Sequence, residues 1–221
     1  MQGNLQKQQR KRNAYVERIC KLRNQWERAN QARRLSKESP LTMARVCTEL
    51  SRAMPREGIL LADGGFAAHW TGLLYDTPAA GRTYIANREN ASIGYGLPGG
   101  MGAQLAAGQA PIVAVTGDGG CNMSLGDFET IIRERIPLVV LVVNNAASGY
   151  VKALQQAMFQ RYQSSDLLEV NYADVFRSMG GRSERVETPE TLAGALREAI
   201  AERSCPVLID MVTTRDPECM L

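Results

Sequence analysis

Four stretches of the chain are nearly unbroken apolar runs: GILLAD at 58–63, PIVAVTGD at 111–118, PLVVLVVNN at 137–145 and PVLIDMV at 206–212. A strand with one wet face alternates apolar and polar residues, so continuous β-branched runs predict strands covered on both faces. Between them the spacing turns helical, near 42–54, 93–108, 125–135, 172–179 and 189–202, the last opened by Thr188 as a cap. Strands alternating with helices predict an α/β fold, a doubly wound parallel sheet flanked by helices. Ligands of such sheets bind beyond the carboxyl ends of the strands, which is where chemistry is sought.

A different pattern precedes the sheet. Tyr15, Val16, Ile19, Leu22, Trp26 and Ala29 recur at three- and four-residue steps, one apolar stripe on a charged helix that SKESP at 36–40 ends. Two domains are therefore expected: a basic amphipathic linker or docking helix at 1–39 and the α/β domain at 40–221. Residues 1–37 hold 11 Lys and Arg against Glu17 and Glu27, a local +9, whereas the 221-residue chain carries +3 in all. The basic arm has neither a zinc-finger nor an RNP signature and almost no aromatic interleaving, so docking is favoured over nucleic-acid binding.

With 44% hydrophobic and 22% charged residues the chain is globular in composition. It lacks both the ~18-residue apolar run of a membrane span and a secretory apolar region, so a cytoplasmic address with no membrane or nucleic-acid partner is expected. Cys20, Cys47, Cys121, Cys205 and Cys219 show no CxxC and no neighbouring histidine, which predicts reduced, mostly buried thiols. The single histidine, His69, reads as a packed or rim residue, and mechanisms that depend on imidazole start low.

The chemistry concentrates after the second and third runs. PIVAVTG passes directly into Asp118, Gly119 and Gly120, with Ser124 expected to open a helix and Asp127 three residues on. Glycines there let a ligand approach the backbone, and a helix start suits a phosphate. The next run ends in Asn144-Asn145, 27 positions after Asp118, enough for one crossover helix and one strand. A carboxylate, an amide oxygen and the loop carbonyl of Ala147 form a sparse oxygen set that suits Mg2+, an ion usually shared with phosphate oxygens and water. Gly94, Gly96 and Gly99 also spell GxGxxG, but TYIANRENASI before them is a poor strand and Pro98 lies inside the motif, so a dinucleotide site is disfavoured.

Gly-Asp-Gly at one strand end with Asn-Asn at the next resembles the fingerprint of thiamine diphosphate-dependent enzymes. The segment Ala91-Ser92-Ile93-Gly94-Tyr95-Gly96-Leu97-Pro98 resembles the one that precedes it in acetolactate synthase-like members. The resemblance covers about residues 40–221 and implies the diphosphate-binding domain of a 2-oxoacid carboligase or decarboxylase. It implies Asp118, Asn145 and the Ala147 carbonyl as Mg2+ ligands, with Gly119 and Gly120 at the diphosphate and Gly64 and Gly65 bordering it. It further implies Ile93 as the prop of the bent cofactor and the Ala91 backbone facing its aminopyrimidine.

The catalytic residue is left unknown, because the family's ring-activating glutamate lies on a pyrimidine-binding domain, usually of a neighbouring subunit. That domain is expected on another chain or a missing segment, with the chain acting as a fragment, a truncated product or one subunit of a split oligomeric enzyme. Phe66 and Ala67 stand where acetohydroxyacid synthases place a glutamine-histidine pair, and Leu154 where they favour a tryptophan, which argues against a strict branched-chain biosynthetic role. A non-catalytic thiamine diphosphate-binding module and a structural or oligomerisation remnant are the alternatives.

Overall fold

The computed structural model describes residues 2–215, and the chain divides into two units between Leu35 and Ser36. The first unit is a single helix, α1 (Gln2–Arg34), along which Tyr15, Val16, Ile19, Leu22 and Trp26 are exposed. Near its end Arg34 pairs with Glu27 at 3.1 Å. No helix among the described residues is long and apolar enough to cross a membrane.

The second unit is built on six parallel strands: β1 (Ile59–Ala62), β2 (Tyr84–Ala86), β3 (Ile112–Gly117), β4 (Val139–Asn144), β5 (Arg182–Val186) and β6 (Val207–Val212). They lie in the order β2-β1-β3-β4-β6-β5. The four apolar runs are its four inner strands, and their continuity has a direct cause. Along β3, Val113 and Val115 enter one core while Ile112 and Ala114 enter the other. Along β4, Val139, Leu141 and Val143 face the first core, and Val140 and Val142 the second.

The first core is completed by α2 (Met43–Ala53), α3 (Phe66–Leu74) and α9 (Pro189–Ala201), the second by α4 (Gly96–Ala107), α5 (Asp118–Met123), α6 (Asp127–Arg133) and α8 (Tyr172–Ser178). The remaining helix, α7 (Gly149–Phe159), follows β4. Thr42 caps α2 by accepting from the Arg45 N–H, whereas Thr188 at the start of α9 makes no side-chain cap bond.

Several expectations are corrected. Both edge strands escape the pattern: β2 has three half-buried residues, and β5 reads Arg-Ser-Glu-Arg-Val with Arg182 and Glu184 exposed, because an edge strand needs no second apolar face. TYIANRENASI thus does contain a strand, though it ends at Ala86, well before the glycines. Helices α3 and α7 were not foreseen. Ser124 opens no helix: α5 begins at Asp118 itself, Ser124 follows its last turn, and α6 starts at Asp127. Of the thiols, Cys47 and Cys121 are buried, Cys205 is partly covered and Cys20 is exposed, while Cys219 lies outside the described residues.

Candidate functional site

Strand order changes direction between β1 and β3, since the chain leaves β1 for β2 on one side and returns to β3 on the other. The crevice outside such a switch point is where ligands enter open α/β sheets. Loops after β1, β3 and β4 meet there around an open cleft of about 700 Å3, solvent at its mouth included. The cleft brings together Gly64, Gly65, Ile93, Asp118, Gly119, Gly120, Asn145 and Ala147. Ala91 is the exception. It lines a neighbouring depression with Asn87 and Tyr95, and its carbonyl backs onto Gly64, where a Cβ would lie 2.6 Å from it.

Asp118, the first residue of α5, is 3% exposed and fully engaged. Its Oδ1 accepts from the Gly119 N–H at 2.7 Å, and its Oδ2 from the N–H groups of Asn145 and Ala147 at 3.2 and 3.3 Å. Burial pushes its carboxyl up to about 6 against the pull of those backbone donors, so the group is mainly ionised at neutral pH in a site that disfavours its charge. A cation would relieve that penalty.

The Asn145 Oδ1 accepts from the same Ala147 N–H at 3.2 Å, so carboxylate and amide oxygens from two strand ends converge on one point. Asn144 has a different task. Its Nδ2 donates to Asp210 Oδ1 and to the Val170 carbonyl, which ties β4 to β6 and leaves only Asn145 of the pair for the cleft. Below the start of α5, the buried Tyr172 hydroxyl donates to Asn122 Oδ1 at 2.9 Å.

The glycines divide by function. At Gly65, φ is +67° and a Cβ would meet nothing within 4 Å, so this backbone is both left-handed and open. At Gly119 a Cβ would come no closer than 3.7 Å to Leu167, so the residue presents bare backbone. At Gly120 it would lie 2.4 Å from Asp63 Oδ2 and 2.8 Å from Thr116 Oγ1, so packing alone demands glycine there. The GxGxxG decoy has a similar origin: at Gly96 a Cβ would press on Thr116 and Asp63, and Pro98 sits in the first turn of α4, where a missing N–H is tolerated.

A profile described as the thiamine pyrophosphate enzyme C-terminal TPP binding domain matches residues 63–211, about two thirds of the chain. The chain belongs to the thiamine pyrophosphate enzymes. This TPP-binding domain is 27% identical over 182 residues to the mitochondrial acetolactate synthase catalytic subunit of Saccharomyces cerevisiae, covering 80% of this chain and 26% of that one. It is likewise 27% identical over 175 residues to the acetolactate synthase large subunit IlvG of Mycobacterium tuberculosis, with 79% and 32% covered.

Its fold matches a thiamine diphosphate-dependent 4-hydroxybenzoylformate decarboxylase of Rhodococcus jostii at a TM-score of 0.74 and 22% identity, over 83% of this chain and 34% of that one. The chain thus spans about a third or less of each of these relatives.

The donors of the TPP-binding domain fit the family's cofactor. They are oxygens only, and no cluster of three His, Cys, Asp or Glu able to hold a metal exists among the described residues, so an ion here needs ligand oxygens from elsewhere. Around the cleft mouth, Phe66, at the position of the family's glutamine-histidine pair, stands with Tyr150, Met123 and Val151, which the motifs did not reveal. Phe66 and Tyr150 pack edge to face with centroids 5.5 Å apart, and Met123 and Val151 extend the apolar rim. Tyr150 was findable, as the second residue of the helix after the Asn145 loop. His69 is an exposed rim residue 6.2 Å from Tyr150. Cys121 is buried, and burial pushes its thiol up, which leaves it inert as a nucleophile.

Proposed function

We propose that this domain holds the diphosphate of thiamine diphosphate through Mg2+, within a 2-oxoacid carboligase or decarboxylase that resembles acetolactate synthase. The observation that carries the reading is the convergence of Asp118 Oδ2 and Asn145 Oδ1 on the Ala147 N–H at the meeting of two strand ends. Asp118, Asn145 and the Ala147 carbonyl are the proposed metal ligands. Gly119 and Gly65 supply open backbone for the diphosphate, with Gly64 and Gly120 beside them, and Ile93 is the proposed prop for the cofactor ring. The Ala91 backbone, one step outside the cleft, is proposed to face the aminopyrimidine.

When bound, the cofactor supplies a nucleophilic thiazolium carbon and an electron sink for the 2-oxoacid. The protein's part is to bind, orient and exclude water. Buried Asp118 brings a fixed negative charge that a divalent ion needs, and the apolar rim of Phe66, Met123 and Tyr150 shields the cleft mouth. Asp118 is the single carboxylate lining the cleft among the described residues, and this reading gives it to the metal. By resemblance to the family, the ring-activating glutamate is proposed to lie on a pyrimidine-binding domain of another chain or a missing segment, in an oligomeric, cytoplasmic assembly that α1 is proposed to help join.

Calorimetric titration of the chain with thiamine diphosphate, with and without Mg2+, tests this reading. Binding that requires the ion and disappears in Asp118→Ala is expected. Metal-independent binding, or equal affinity in the variant, overturns it.

A further inference from the structure

A second heavily bonded carboxylate of the domain lies outside the cleft lining. Asp63, one residue past β1, is fully buried and accepts four hydrogen bonds. Its Oδ1 takes the N–H of Gly64 at 2.7 Å and of Tyr95 at 3.1 Å; its Oδ2 takes the N–H of Gly94 at 3.2 Å and the Thr116 hydroxyl at 2.7 Å. All four partners are neutral donors, so an acceptor-only group is what the position requires; an amide would turn an N–H2 toward two of them.

Those donors belong to three separate segments: the loop after β1, the Ile93–Tyr95 stretch before α4, and the end of β3 two residues from Asp118. Two other positions forgo side chains to admit the carboxylate, since a Cβ at Gly120 or Gly96 would lie 2.4 or 3.1 Å from Oδ2. Burying a carboxylate with no cation beside it is unfavourable unless its bonds do something no apolar residue does.

We infer that Asp63 is a positioning residue that sets the spacing between the Gly64–Gly65 loop and the Ile93–Tyr95 segment, so that the diphosphate side of the cleft and the Ile93 prop engage one cofactor. The inference rests on the thiamine diphosphate reading of the cleft. It divides the labour: Asp118 and its neighbours hold the diphosphate, and Asp63 holds the ring-side segment at the distance the rest of the cofactor needs.

The test compares two probes, inorganic pyrophosphate and thiamine diphosphate, each with Mg2+, titrated into the full chain and into Asp63→Asn. Pyrophosphate lacks the ring and reports on the diphosphate half alone. Asp63→Asn is expected to weaken thiamine diphosphate by about tenfold, the scale of one charged hydrogen bond, while pyrophosphate binding changes less than about threefold. Thr116→Val, which removes a single bond to Oδ2, is expected to shift the ratio the same way by about threefold, and its ratio decides alone should Asp63→Asn not fold. Equal weakening of both probes would show a merely structural role and overturn the inference, as would an unchanged ratio. A wild-type chain that binds neither probe overturns the cofactor reading together with it.

Discussion

Adjacent glycines 119 and 120 should respond oppositely to the same added methyl. In Gly120→Ala the new Cβ meets Asp63 Oδ2 at 2.4 Å and Thr116 Oγ1 at 2.8 Å, two groups already bonded to each other and unable to retreat. Overpacking of this kind costs about 1–3 kcal/mol, and displacing the carboxylate from one donor adds about 1.5–3 kcal/mol. Alanine recovers up to ~1 kcal/mol of helix propensity in α5. A net loss of about 1.5–6 kcal/mol follows, roughly a 3–24 °C fall in Tm for a unit of this size.

In Gly119→Ala the nearest atom is Leu167 Cδ1 at 3.7 Å, an ordinary contact, so stability should hold or rise by up to ~1 kcal/mol while the methyl intrudes where the diphosphate is proposed to lie. Urea and thermal unfolding of both ligand-free variants, followed by cofactor titration of Gly119→Ala, checks the pair. A Gly120→Ala variant as stable as wild type would refute the packing account. A destabilised Gly119→Ala would refute the assignment of that surface to a ligand.

Other outcomes follow from the same geometry. Asp118→Ala should abolish the cofactor-dependent rise in Tm measured with Mg2+, and EDTA should do the same to the wild type. Lys152, nearly buried, donates to Asp166 Oδ1 at 2.6 Å, and the segment around Asp166 pairs with the backbone at Ala146–Ser148. Lys152→Met should therefore speed limited proteolysis within 160–168 and weaken cofactor binding severalfold, and cleavage at the wild-type rate would contradict this. Arg185→Ala leaves the buried Asp210 with only Asn144 and Tyr172 as donors and should lower stability by about 2 kcal/mol in urea unfolding. The purified chain alone should not turn over pyruvate or other 2-oxoacids, and turnover that copurifies with it at constant specific activity would refute the assignment of the glutamate elsewhere.

What could be read in advance depended on whether a signal was local. Val113 through Val115 and Val139 through Val143 announce a doubly covered sheet because each residue is apolar for its own reason, in one core or the other. Asp118 and Asn145 were legible because each directly follows such a run or ends it. Asp63 directly follows one as well, yet its role arises from donors some 30 and 53 residues away, which no spacing rule links. Gly120 shows the converse: it lies in the motif, yet Asp63, which no motif names, already leaves no room for a side chain there. The β5 strand was missed because an edge strand with exposed Arg182 and Glu184 carries no continuous apolar run.

That edge has a consequence for any assembly the domain could enter. A parallel sheet grows by adding a strand to an open rim, and both rims here are poor templates. One ends in the three residues of β2, the other in β5, whose Arg182 is held by Glu202 at 3.0 Å and whose Arg185 reaches back to Asp210. Short or charged rims disfavour strand addition. Any association of the domain would thereby be directed away from sheet extension and onto helical and loop surfaces, such as α7, where Tyr150, Leu154 and Met158 are exposed.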